Sequence, residues 1–184
     1  MLIVEGPDMV GKTTFIKSLL KKLNEMNYPV LPQHFGLIPA GWDYYWDYLK
    51  FMNQRVIMDR FILSEVVYGQ VIRGYSKITP ETYRMLDANL RLNASVTVVI
   101  VGDAVWYEKQ VNEIHSQRTE AFSIEQNIAV NEKFKDVAYS PSYDVDFVWQ
   151  VSDSVGYPAE SFVAQVIKLY AERMARWEAL YGQE

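Results

Sequence analysis

The chain has 184 residues, a length that fits one domain with a sizeable core. Its 23 acidic residues outnumber 18 basic ones, and a net charge of −5 argues against a general nucleic-acid binder, whose basic face must meet phosphates. The lack of cysteine excludes disulfides, thiol nucleophiles and thiolate metal sites, and two histidines are too few for a His-rich metal site.

A short apolar run, residues 2–5, stops at Gly6 and predicts a first strand. Lys12 to Met26 reads as a helix, with Phe15, Ile16, Leu19, Leu20 and Leu23 at helical spacing. Pro29 to Phe35 predicts a second strand, Trp42 to Gln54 a helix, and Arg55 to Asp59 a buried strand. Ile62 to Arg73 reads as a helix stopped by Gly74, and Pro80 to Leu92 as another, capped by Thr79. Ser95 to Val101 is a run of β-branched residues, apolar on both faces as strands of parallel sheets are. Ala104 to Ile114 is predicted helical, His115 to Ser123 polar and irregular, and Ile124 to Val137 helical. A last strand, Asp146 to Val151, precedes a long helix from Ala159 to Leu180.

Strands alternating with helices imply βαβ units. The predicted fold class is therefore α/β, a three-layer, doubly wound, five-stranded parallel sheet in a single domain over residues 1–184. In such sheets ligands gather at the carboxyl ends of the strands. No apolar run approaches the roughly 18 residues of a membrane span. The first residues lack the basic stretch and apolar core of a signal peptide, so a cytoplasmic protein with no membrane partner is expected.

Gly6-Pro7-Asp8-Met9-Val10-Gly11-Lys12-Thr13 matches G-x-x-x-x-G-K-[ST] between a predicted strand and a predicted helix, the context the motif requires. Backbone amides from Gly6 through Met9, Val10, Gly11 and Thr14 would cradle phosphates, and Lys12 would reach the β- and γ-phosphates. Thr13 would offer its hydroxyl to Mg²⁺, and the helix N-terminus would face the same anions. A nucleoside triphosphate is the expected ligand. No Asn-Lys-x-Asp stretch reads guanine as in GTPase switches, and Asp153–Gly156, which fits D-x-x-G, falls after the last strand. A short chain with one such loop reads as a small-molecule phosphotransferase.

A second stretch, Asp59-Arg60-Phe61-Ile62-Leu63-Ser64-Glu65-Val66-Val67-Tyr68, follows a predicted strand. Asp59 at the sheet edge could hold the Mg²⁺ shell, and Arg60 could clamp a phosphate bidentately. Ser64 and Tyr68, four apart, share a helix face under the same site. The plainer alternative is Asp59 as a helix cap and Arg60 as a surface charge.

With these two motifs the chain resembles the thymidylate kinase family of nucleoside monophosphate kinases. Arg118-Thr119-Glu120, with Ala121-Phe122 opening the next helix, is a weaker third piece. The resemblance implies a P-loop nucleotide-kinase fold with a lid at residues 115–123. It also implies an enzyme that uses ATP and Mg²⁺ to phosphorylate a deoxynucleoside monophosphate, dTMP by default. In that family's terms Asp8 would accept the hydrogen bond of the acceptor's 3′-hydroxyl, and Arg60 would bind its phosphate. Tyr68 would crowd the 2′ position, and Arg118 would be the catalytic arginine of the lid. The resemblance leaves a homodimer open.

Two departures stand out. The family's Arg-Glu-Pro-Gly-like turn is here Gln33-His34-Phe35-Gly36, and Gly41 to Tyr48, rich in Trp and Tyr, replaces the helix that reads thymine. Phe35, Trp42, Tyr45 and Trp46 are candidates for stacking on the base, with core packing as the alternative. Arg84 and Arg91 lie seven apart on one helix, and a solvated face is the expected reading. Two other functions remain: a deoxynucleoside kinase, whose 5′-hydroxyl acceptor needs a base that only His34 could supply after strand two, and a nucleotide-binding regulatory protein without turnover.

Overall fold

The computed structural model describes residues 1–36, 41–52, 54–117, 119 and 121–181. In chain order these form β1 (Leu2–Glu5), α1 (Lys12–Glu25), β2 (Leu31–His34), α2 (Trp46–Met52), β3 (Val56–Asp59) and α3 (Ile62–Tyr68), which continues as a π-helical turn at Gly69–Arg73. Next come α4 (Pro80–Leu92), β4 (Val96–Gly102), α5 (Ala104–Gln117), α6 (Ile124–Ala138), β5 (Phe147–Val151) and α7 (Glu160–Tyr181).

Among the described residues the strands form one parallel sheet in the order β2-β3-β1-β4-β5. Every residue of β1 and β4 is buried, because helices cover both faces. Alternation along β4 divides the core. Val96, Val98 and Ile100 pack with Leu19 of α1, Val111 of α5 and Val166 of α7, while Val99 and Val101 pack with Val66 of α3, Leu86 of α4 and Val130 of α6. Each such aliphatic side chain contributes roughly 1.5–3 kcal/mol by leaving water. The two packed layers fix the carboxyl edge of β1 between those of β3 and β4.

Helix boundaries follow their capping chemistry. Thr79 accepts from Thr82 N–H at 3.1 Å, and Pro80 opens α4 where its missing N–H costs nothing. Ser123 and Gln126 form a reciprocal capping box on α6. Gly74, with φ of 80°, ends the π-helical turn.

Three predicted boundaries need correction. The helix expected from Trp42 begins at Trp46, because the Asp43 carboxylate accepts from the N–H groups of Tyr45 and Trp46 and so sets the start. The strand expected over 29–35 is confined to Leu31–His34, an exposed edge that among the described residues pairs with β3 alone. The helix expected to stop at Ile114 runs on to Gln117, so His115, Ser116 and Gln117 are helical rather than part of an irregular lid.

Candidate active site

The chain leaves β1 at Gly6, where a Cβ would strike the Ile100 carbonyl oxygen of the neighbouring strand β4. Glycine is thus required for the loop to turn out of the sheet there. Gly11, with φ of 86°, opens α1 with no side-chain cap, and a Cβ there would meet the Tyr157 ring. The first amides of α1 are therefore free for an anion at the positive end of the helix. Met9 also has positive φ, at 69°, a strained conformation for a non-glycine residue in this loop.

Lys12 is buried, and its ammonium donates to the Pro7 carbonyl and lies 3.9 Å from the Asp8 carboxylate. Burial pulls its pKa down to about 8, against the opposing attraction of Asp8. Asp8 itself sits in a ring of donors. Arg60 pairs with its Oδ1, and the Tyr68 hydroxyl donates to Oδ2 at 3.4 Å. Burial pushes the Asp8 carboxyl up, but Lys12 and Arg60 together hold it below the ordinary range. The Arg60 guanidinium also lies over the Tyr68 ring, 5.0 Å from its centroid. Burial pushes the Tyr68 phenol well up, so it stays a neutral donor.

Arg60 reaches Asp8 because the chain turns sharply at the end of β3. Its φ is 69°, and its N–H donates to the Val4 carbonyl at 2.9 Å. The turn is held from below by Glu5, a fully buried carboxylate that accepts from the N–H groups of Phe61 and Leu63 at 3.0 and 2.9 Å and from the Ser64 hydroxyl. Burial raises the Glu5 pKa to about 7 despite those donors. This corrects the expectation for Ser64: its side chain is buried and its hydroxyl is spent on Glu5, not turned to a ligand.

Asp8, Lys12 and Arg60 help line a pocket of about 450 Å³, with Met9, Gly11, Thr13, Thr14, His34, Asp59 and Tyr157 on its other walls. Val10 is fully buried beneath the loop. The Asp59 Oδ2 is 3.1 Å from His34 Nδ1, and Oδ1 is buried with no hydrogen-bond partner among the described residues. Thr13 is exposed on the same wall. A lone carboxylate oxygen and a hydroxyl fit Mg²⁺, a hard cation that takes oxygen ligands and keeps several waters. No group of three or more His, Cys, Asp or Glu side chains converges among the described residues, so a cation here would draw its other ligands from phosphates and water.

Other expected residues fall elsewhere. Phe35 and Trp42 are half-buried and pack on each other, with ring centroids 5.1 Å apart, and on Tyr48 and Phe51. Arg84 pairs with Glu81 on the surface, and Arg91 is held by Asp87 and Asp144, as a solvated face requires. Arg118 lies outside the described residues. Among the described residues no helix is long and apolar enough to cross a membrane. Sequence reasoning passed over Glu5, although a carboxylate ending an apolar strand is itself a signal. Tyr157, from the loop after β5, carries no such mark in the sequence.

No protein-family model matches the chain. Over 99 residues it is 29% identical to the SPbeta prophage-derived uncharacterized protein YorR of Bacillus subtilis (strain 168), a match that spans 52% of this chain and 58% of that protein. The crystal structure of YorR in complex with phosphorylated GDP superposes with a TM-score of 0.70 at 19% identity, covering 95% of this chain and 97% of that one. Deoxyadenosine kinase from M. mycoides with bound dCTP aligns with a TM-score of 0.49 at 16% identity over 94% of this chain and 100% of the other. Thymidylate kinase from Ehrlichia chaffeensis aligns with a TM-score of 0.47 at 20% identity, covering 92% and 97% of the two chains. The fold is thus a five-stranded parallel α/β fold, shared with YorR over nearly the whole length of both chains.

Proposed function

We propose that the chain is an ATP-dependent phosphotransferase that phosphorylates a deoxynucleoside monophosphate, with dTMP as the default acceptor. The observation that carries this reading is the cluster of Lys12, Asp8 and Arg60 on the walls of the pocket, with the Tyr68 hydroxyl donating to Asp8. Lys12 and the amides of α1 suit the β- and γ-phosphates of the donor. Arg60 places a second cation beside the same Asp8 oxygen, where an acceptor phosphate would replace part of its contact with Asp8. Asp8 would then be free to accept from a 3′-hydroxyl, and the Tyr68 ring would crowd the position of a 2′-hydroxyl.

The acceptor phosphate is already an anion. One of its oxygens forms a bond to the γ-phosphorus, the bond from that phosphorus to the β–γ bridging oxygen breaks, and ADP leaves with the electron pair. No proton has to be removed, so the site needs positioning and positive charge rather than a base. Thr13 and Asp59 would hold Mg²⁺, which when bound neutralises charge on the donor phosphates. Arg118, in the segment after α5, would add a cation as that segment closes. YorR, with the same fold, binds a phosphorylated GDP, and this supports a nucleotide ligand here.

The His34–Asp59 pair favours one second reading, a deoxynucleoside kinase in which His34 meets the 5′-hydroxyl of the acceptor. ADP release measured with ATP, Mg²⁺ and each deoxynucleoside monophosphate, each deoxynucleoside, or no acceptor separates the cases. Release that depends on a monophosphate supports the proposal. Release only with a nucleoside supports the second reading, and binding without release points to a regulatory protein.

A further inference from the structure

We propose that His34 is a positioning residue: its Nδ1–H holds the Asp59 carboxylate so that Oδ1 stays available to a nucleotide-bound Mg²⁺. The inference rests on the phosphotransferase reading for the cation, and on strand geometry for the pair. His34 and Asp59 are directly opposed in the parallel ladder of β2 and β3, so both side chains leave the sheet on the same side at its carboxyl edge. The next ladder bond, from Phe35 N–H to the Asp59 carbonyl at 2.9 Å, locks that register. The 3.1 Å contact between Nδ1 and Oδ2 is thus built into the sheet. An ionised carboxylate can only accept, so Nδ1 carries the hydrogen.

Stability does not account for the pair. The imidazole is 58% exposed, and exposed pairs of this kind contribute little to folding. What the pair does is orient a carboxylate in a crowded electrostatic setting. The Lys12 ammonium and the Arg60 guanidinium both lie close enough to Asp59 for its charge to act on them. The contact with His34 fixes which of the two oxygens is engaged and which way the other faces. With Oδ2 tied to His34, Oδ1 is buried and has no partner among the described residues. Hydrogen bonds to a ligating carboxylate from a neighbouring side chain tune metal affinity in this way.

The experiment measures ATP affinity by calorimetry, with saturating Mg²⁺ and with excess EDTA, for wild type, His34→Ala, His34→Asn and His34→Gln. Asn places its amide nitrogen near the position of Nδ1, whereas Gln places it near Nε2. Expected is a loss of about 10-fold or more in Mg²⁺-dependent ATP affinity for His34→Ala, with unchanged affinity in EDTA. His34→Asn should recover most of the loss and His34→Gln little of it. Equal weakening in both conditions, no effect of His34→Ala, or rescue by Gln but not Asn overturns the positioning role while leaving the phosphotransferase reading intact. Failure of the folded wild type to bind ATP in either condition overturns both.

Discussion

Glu5→Gln should change how stability depends on pH. Glu5 is fully buried beneath the turn that carries Arg60, and its pKa rises from an ordinary 4.5 to about 7 because burial disfavours the charged form. Between those two values the folded protein binds a proton that the unfolded chain does not. The group's contribution to stability is therefore fully present below pH about 4.5 and is lost as pH rises through about 7. A shift of this size corresponds to about 3 kcal/mol. Glutamine keeps a carbonyl oxygen for the Phe61 and Leu63 N–H groups and does not titrate. Any constant offset between the variants reflects the amide, and only its growth with pH reports the charge. Urea unfolding followed by tryptophan fluorescence should show Glu5→Gln gaining about 3 kcal/mol on wild type between pH 4.5 and pH 8. For a chain of this size that gain equals a relative shift in Tm of about 6–12 °C. Parallel stability curves for the two proteins across that range would refute the assignment of a desolvated, buried carboxylate at Glu5.

Two more outcomes follow from the cluster around Asp8, and a third from the sequence expectation for Arg118. Asp8→Asn should raise the acceptor KM more than it lowers kcat and should weaken discrimination against 3′-deoxy acceptors, as read from steady-state kinetics on both acceptor types. Tyr68→Ala should narrow the kcat/KM gap between deoxyribo- and ribonucleotide acceptors, and an unchanged ratio in the folded variant would remove the steric role. Arg118→Ala should lower kcat at saturating ATP and acceptor by about 10³-fold with little change in ATP affinity; a loss below about 5-fold, roughly 1 kcal/mol, would reduce it to a surface charge.

The parts of the fold that could be read from sequence are those where one physical requirement dominates. β4 is apolar on both faces because helices cover both, so Ser95 to Val101 announced itself as a central parallel strand and the structure moved it by one residue. The loop from Gly6 to Thr13 is legible because Gly6 and Gly11 serve backbone conformations that other residues resist. Where local and tertiary effects compete, the reading slipped. The run from Trp42 has helical spacing, but the Asp43 side chain captures two N–H groups and delays the helix to Trp46. Ser64 shares a helix face with Tyr68, yet the need to satisfy the Glu5 carboxylate claims its hydroxyl. The His34–Asp59 pair depends on the register between β2 and β3, which the separation of the two residues in the chain does not reveal. Tyr157 meets Gly11 only because the loop after β5 folds back over the start of α1.

The transfer itself is tested most directly by following the γ-phosphoryl group of ³²P-labelled ATP with Mg²⁺ in the presence of a deoxynucleoside monophosphate and separating the products by chromatography. Wild type should place the label in the deoxynucleoside diphosphate. Lys12→Ala, which removes the buried ammonium from the pocket while leaving its walls, should lower the rate by about 10²-fold or more with the fold intact by circular dichroism. Label appearing only in inorganic phosphate, or in a monophosphate when a deoxynucleoside is supplied but never in a diphosphate, would contradict monophosphate phosphorylation, and a Lys12→Ala variant that keeps half the wild-type rate would contradict the site.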